Sequence, residues 1–234
     1  ERWRFASCEY FIGITPDLVD HIHKTGVPLQ NIALIHTLAD YTPQAPIDRA
    51  TFDTPKDAPL LLALARLHWK KGLDILLDAL PRVPEAYLWI AGEGEDRAKL
   101  EAQTKRLGLG NRVRFLGWRT DREALLAAAD ICVFPSRYEP FGTVTIEAWA
   151  AKIPLIAAAS QGPGAYVENE VNGMLIPIDD TDALVIAVQR LIAEPELRAR
   201  IVAGGTNSYE EGFTKDVYVR DVFAFYDRVM KDRQ

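Results

Sequence analysis

The chain has 234 residues, enough for one large domain or two small ones, and 48% of them are hydrophobic against 26% charged, the balance of an ordinary globular protein with a sizeable core. Its net charge of -6 argues against a nucleic-acid partner, which needs clustered Lys and Arg, but leaves room for a local basic site holding one small anionic ligand. No run approaches about 18 consecutive apolar residues, so no membrane-spanning helix is expected. Cys8 and Cys132 give neither a disulfide framework nor a metal-ligand spacing, which makes a reducing cytoplasm the expected location. Cys132 lies in the run Ile131-Cys132-Val133-Phe134 and reads as a small buried hydrophobe.

The start, Glu1-Arg2-Trp3-Arg4, carries no initiator Met and no signal-like apolar run, so either a piece of a longer protein or a chain processed to remove its Met is expected. Residues 10–14 read as a strand, 16–24 as a helix with Pro in its first turn, and 32–35 as another apolar run. These are too few to form a core, so 1–40 is expected to be an appendage or the tail of a preceding domain. Residues 41–59, rich in Pro, Asp and Thr, read as a linker.

From Leu60 short apolar runs alternate with amphipathic ones. Residues 60–65, 86–91, 112–116, 131–135, 153–159 and 173–177 read as strands, several nearly all apolar, as in a parallel sheet covered on both faces. Leu73, Leu76, Leu77 and Leu80 follow helical spacing, and 96–107, 122–129, 142–152 and 181–193 also read as helices. The alternation predicts βαβ units with right-handed crossovers, an α/β Rossmann-like domain over 60–234. Two terminal helices follow, 196–204 and 215–231, the second with Val219, Val222, Phe223 and Tyr226 along one face.

Ligands of such sheets bind beyond the carboxyl ends of the strands. After the first of these strands come Arg66 and Lys71, two cations bracketing one strand–helix turn, which suits a diphosphate; a solvated charged loop is the bland alternative. After the fourth come Ser136-Arg137-Tyr138-Glu139-Pro140-Phe141-Gly142 and a helix whose first turn, Gly142 to Thr145, contains no acid. Its free N–H groups and small Gly fit an anion site at a helix N-terminus. Glu147 lies one turn further on, leaning back toward that mouth, and Glu139 stands in the preceding loop. Two carboxylates flanking an anion site suit a ligand with a hydroxylated group on each side of its phosphates; a loop Glu and a mid-helix Glu without function is the alternative.

On these residues the sequence resembles the family-4 retaining glycosyltransferases of the two-domain GT-B fold. Arg66…Lys71-Gly72 matches that family's Arg-x4-Lys-Gly turn, and Glu139 and Glu147 match its Glu-x7-Glu motif. Ile90-Ala91-Gly92-Glu93-Gly94, residues 113–117 and Asn172-Gly173-Met174-Leu175-Ile176-Pro177 extend the likeness. The resemblance implies a C-terminal donor-binding domain, with 1–40 a remnant of an N-terminal domain that is otherwise lacking. It implies that Arg66 and Lys71 bind the donor diphosphate and that Glu147 holds the ribose. Glu139, with backbone N–H groups around Phe141, Gly142, Thr143 and Val144, would hold the transferred sugar and distal phosphate, and Gly117-Trp118 would lie near the base. The implied catalytic set is Glu139, Arg66 and Lys71, with no metal and no cofactor beyond a UDP- or GDP-sugar donor.

The resemblance further implies a glycan or lipid-linked acceptor reached through the N-terminal domain, work at the cytoplasmic face of a membrane, and no transfer by this chain alone. One departure stands where the family often has Asn-Gly-Val-Asp: here the run is Thr37-Leu38-Ala39-Asp40. Two other readings remain open at this point: a nucleotide-sugar epimerase using His68, and a non-catalytic nucleotide-sugar-binding module.

Overall fold

The computed structural model describes residues 8–232, and the run Glu1-Arg2-Trp3-Arg4 lies outside them. The chain divides into two compact units, one of residues up to Asp40 together with those from Ser208 onward, the other Tyr41–Asn207. In the first unit, β1 (Phe11–Gly13) and β2 (Ile32–Leu34) pair in parallel around α1 (Pro16–Lys24). Thr15 caps α1 by accepting from Leu18 N, and Pro16 follows with a φ already suited to the helix.

The larger unit holds the parallel sheet. Its strands are β3 (Leu60–Leu64), β4 (Tyr87–Ala91), β5 (Val113–Gly117), β6 (Ile131–Phe134), β7 (Leu155–Ala158) and β8 (Met174–Ile176), in the order β5-β4-β3-β6-β7-β8. All neighbours run parallel, as the near-continuous apolar runs require. Central β3 is the most enclosed, with Leu60 to Ala63 each at most 1% exposed.

The helices between strands are α2 (Leu73–Ala79), α3 (Arg97–Arg106), α4 (Arg122–Ala128), α5 (Thr143–Ala150), the short α6 (Pro163–Tyr166) and α7 (Thr181–Ala193). Leu73, Leu76 and Leu77 of α2 join Leu184, Val188 and Leu191 of α7 and the inner residues of the sheet in one hydrophobic core. The expected α/β class and its strands and helices are present, with ends shifted by a residue or two. Short α6 carries no apolar periodicity and was not expected.

Two expectations are corrected. Residues 41–59 are not a free linker but part of the larger unit. Arg49 donates to the carbonyls of Ala128, Lys56 and Ala58 and pairs with Asp130. Trp89 donates to Thr54 and stacks edge-on against Phe52 at 5.0 Å. Polar, Pro-rich composition marks absence of regular structure, not absence of packing.

The second correction concerns α8 (Pro195–Gly212), which runs straight through Gly204-Gly205, where the sequence suggests an end, and carries the boundary between the units at Asn207/Ser208. Those glycines are packing points. A Cβ on Gly204 would lie 2.1 Å from the Val171 carbonyl oxygen, and one on Gly205 would lie 2.4 Å from Trp149. The last helix, α9 (Lys215–Asp232), belongs to the first unit; Val219, Phe223, Tyr226 and Met230 are exposed along it.

Glycines in α8 should therefore respond with opposite signs. Gly205→Ala overfills the space against Trp149, which is fixed by its hydrogen bond to the Asn172 carbonyl, and is expected to cost about 1–3 kcal/mol. Gly212→Ala meets nothing within 4 Å and should be neutral or stabilising by up to about 1 kcal/mol. Denaturant unfolding of both variants checks this; equal effects would show that helix propensity, not the Trp149 contact, governs position 205.

Candidate functional site

Strand order reverses between β3 and β6, and in an open parallel sheet the crevice beyond the carboxyl ends at that reversal is where ligands settle. The turn after β3 and the loop after β6 meet there. The Lys70 carbonyl accepts from Arg137 N at 2.8 Å and Tyr138 N at 3.3 Å. Gly72 has φ +64°, and a Cβ on it would sit 2.0 Å from the Pro135 carbonyl oxygen. Only glycine satisfies both the left-handed conformation and this approach.

A half-buried ion-pair clamp reinforces the junction. Arg137 donates to both carboxylate oxygens of Asp74 at 2.7 Å, to Asp179 at 2.5 Å and to the Trp69 carbonyl at 2.6 Å. Burial would raise the Asp74 carboxyl, but the bidentate bond and charge of Arg137 prevail and hold it below the usual range.

Arg66 sits directly beyond β3. Its flanks are pinned by Ala65 N to Ala91 O at 3.1 Å and Leu67 N to Glu93 O at 2.9 Å, while its guanidinium is exposed and has no partner among the described residues. Lys71 forms an ion pair with Glu139 and lies 5.5 Å from the Phe134 ring centroid. The structure thus joins two of the expected residues across 68 positions of sequence.

Gly142, at φ +88°, caps α5 with no side-chain hydrogen bond, and the first turn contains no acid. Thr145 N donates to the Gly142 carbonyl, which leaves the N–H groups of Gly142, Thr143 and Val144 without a partner among the described residues. Thr143 is exposed and Val144 half-buried. Phe141 is 5% exposed with its ring packed against Tyr166, so it can offer a ligand its backbone rather than its side chain.

Glu147 is 6% exposed and pairs with Arg122, at the start of α4, at 3.3 Å. Burial lifts its carboxyl above the usual range, Arg122 pulls it back and Glu123 adds to the rise. The two glutamates are anchored apart: Glu147 to the helix entered from β5, Glu139 to the turn after β3. Gly117, at φ +70°, ends β5, and Trp118 beyond it is 77% exposed.

His68 accepts from Lys70 N through Nδ1, capping the turn Trp69–Lys71, and its Nε2 lies 3.4 Å from Glu95. Both ring nitrogens are thus engaged locally, which disfavours His68 as an acid or base facing a sugar. Sequence reasoning missed Arg122 and Arg137. Their only signal was a cation in or beside a loop at the strand ends, which a solvated charge gives equally.

Residues 44–208, nearly the whole larger unit, match the family described as Glycosyl transferases group 1. Among curated proteins, the chain is 32% identical over 212 residues to the lipopolysaccharide core biosynthesis glycosyltransferase LpsE of Rhizobium meliloti (strain 1021), covering 91% of this chain and 62% of that protein. It is 32% identical over 229 residues to LpsD of the same organism, covering 98% of this chain and 66% of that protein. The chain therefore spans somewhat less than two thirds of either relative.

Among solved structures, the sucrose-phosphate synthase of Thermosynechococcus elongatus superposes with a TM-score of 0.83 at 28% identity, covering 94% of this chain and 58% of that one. Anabaena Alr3699/HepE, solved with UDP-glucose, superposes with a TM-score of 0.84 at 26% identity, covering 95% of this chain and 64% of that one. The parallel sheet and its helices are those of a GT-B C-terminal domain. With 44–208 matched, most of its length, the chain belongs to the Glycosyl transferases group 1 family.

Proposed function

We propose that this chain binds a nucleotide-diphosphate sugar and is the donor-binding part of a retaining, metal-independent family-4 glycosyltransferase. The observation that carries the reading is the junction of the Arg66–Lys71 turn with the acid-free start of α5 at the strand-order reversal. A diphosphate placed there meets two cations and free N–H groups at the positive pole of a helix. Negative charge developing on the leaving phosphate is stabilised by the same groups, which takes the place of a metal ion. Glu139 then exchanges Lys71 for sugar hydroxyls and orients the anomeric carbon, and Glu147 receives the ribose hydroxyls.

The UDP-glucose bound to HepE supports a UDP-sugar as the first donor to test, with a GDP-sugar next. The printed names of LpsE and LpsD support a lipopolysaccharide or other glycan acceptor. We place the reaction at the cytoplasmic face of a membrane; no helix among the described residues is long and apolar enough to cross one.

Calorimetric titration with UDP, GDP and ADP and their sugars tests the reading: binding of one series is expected, without sugar transfer to any acceptor by the chain alone, and robust transfer would sink the second part. Arg66→Ala and Lys71→Ala should each weaken the nucleoside diphosphate by about 1.5–3 kcal/mol, roughly tenfold to a hundredfold, with little change for the nucleoside. Unchanged diphosphate affinity in both would return them to the solvated-loop reading.

The glutamates should separate. Glu147→Gln is expected to weaken bare nucleotide and nucleotide-sugar alike. Glu139→Gln, which leaves Lys71 free for phosphate, should spare the nucleotide and lose affinity only for the sugar conjugate. Equal losses on the bare nucleotide would show that the two carboxylates serve one shared network.

A further inference from the structure

The segment after β7 reaches the same mouth from a third side. Gly162 N donates to the Glu139 carbonyl at 2.8 Å, and a Cβ on Gly162 would lie 2.2 Å from the Phe141 carbonyl oxygen, so backbone lies directly on backbone. Short α6 then delivers Tyr166. Its ring packs on Phe141 at 5.6 Å and edge-on against Trp149 at 5.9 Å between centroids. Trp149 is fixed by donating to the Asn172 carbonyl, and the Asn172 side chain donates to the Tyr166 carbonyl. The phenol therefore has little freedom to move.

Its hydroxyl lies where the sugar end of the site begins. A Cβ on Gly142 would come within 3.2 Å of the Tyr166 hydroxyl and 3.3 Å of Glu139 Cγ, so these groups converge on one point at the entrance to α5. The hydroxyl donates a long hydrogen bond, 3.5 Å, to the Gly142 carbonyl. That carbonyl also accepts from Thr145 N, so the contact bears on the turn that presents the free N–H groups.

We propose that Tyr166 is a positioning residue of the donor site, whose ring and hydroxyl hold the turn from Glu139 to Gly142 in the geometry that receives the transferred sugar. This rests on the donor-site reading above and adds a third loop to it. Burial and the neighbouring Glu139 charge hold the phenol above its usual range, so it remains a donor through the neutral range. Phe141 and Gly142 belong to the quoted motif; Tyr166 lies 24 residues beyond Gly142 and comes to it only through the fold.

Calorimetry of the chain and Tyr166→Phe with UDP, GDP and ADP and with their glucose conjugates tests this. The substitution keeps the ring and removes only the hydroxyl with its neutral hydrogen bonding, so bare nucleotide affinity should be unchanged while the conjugate loses about threefold to tenfold. Tyr166→Leu, which also removes the ring, should lose more of the conjugate affinity and speed amide exchange at 139–144, again with nucleoside affinity kept. A Tyr166→Phe variant with the parent's ratio of conjugate to bare affinity overturns the proposal. So does an equal loss on both ligands with a lowered melting temperature, which would mark Tyr166 as a packing residue only. A parent chain that binds none of the three nucleotides overturns the donor site and this proposal together, an outcome distinct from a parent that binds and a variant that matches it.

Discussion

The site depends on one contact that involves no side chain: Gly72 against the Pro135 carbonyl, in the space where any other residue would place a Cβ. Because the two backbones touch, the turn after β3 and the loop after β6 share hydrogen bonds through the Lys70 carbonyl, and Lys71 reaches Glu139. A larger residue at 72 would face both a left-handed φ and an overlap, and the loops would have to part. Arg137 then fastens the junction from outside by bridging Asp74, Asp179 and the Trp69 carbonyl. Positioning of the charged groups is thus set by backbone closeness first and by ion pairing second.

Most charged groups at the junction are engaged in ion pairs. Lys71 faces Glu139, Arg137 faces Asp74 and Asp179, Arg122 faces Glu147, and the Arg66 guanidinium stands exposed beside them. On the proposed reading, an arriving anion would gain most from Arg66 and from the helix pole, whose N–H groups are already oriented. At Lys71 it must compete with a carboxylate. On the proposed donor reading, that competition would couple phosphate binding to release of Glu139 for hydroxyl groups. Glu147 differs, since burial rather than a close partner dominates its carboxyl. A deep acceptor of this kind suits a fixed hydroxyl partner better than a mobile one.

The three loops at the strand ends supply different properties. The turn after β3 brings cations, the loop after β6 a carboxylate and the helix start, and the segment after β7 a rigid aromatic brace. Each is carried by an enclosed strand, with Leu61, Val133 and Ile156 at most 1% exposed, so displacement of any loop is resisted by the core beneath it.

Local signals in the sequence were sufficient for the strands and for most helices, and they singled out Arg66, Lys71, Glu139 and Glu147 as candidates. Apolar periodicity and motif spacing are properties of neighbouring residues, and the parallel class follows from the alternation of strand and helix. Only the tertiary structure decided which charges meet, since Lys71 and Glu139 are 68 positions apart and nothing in either segment names the other. It also decided that Gly204-Gly205 continue a helix and that residues 41–59 pack, because glycine and polar composition weaken local preference without saying what approaches from elsewhere. Tyr166 reaches the mouth of the site for the same reason: its place is fixed by Phe141, Trp149 and Gly142, contacts made across the sheet ends rather than along the chain.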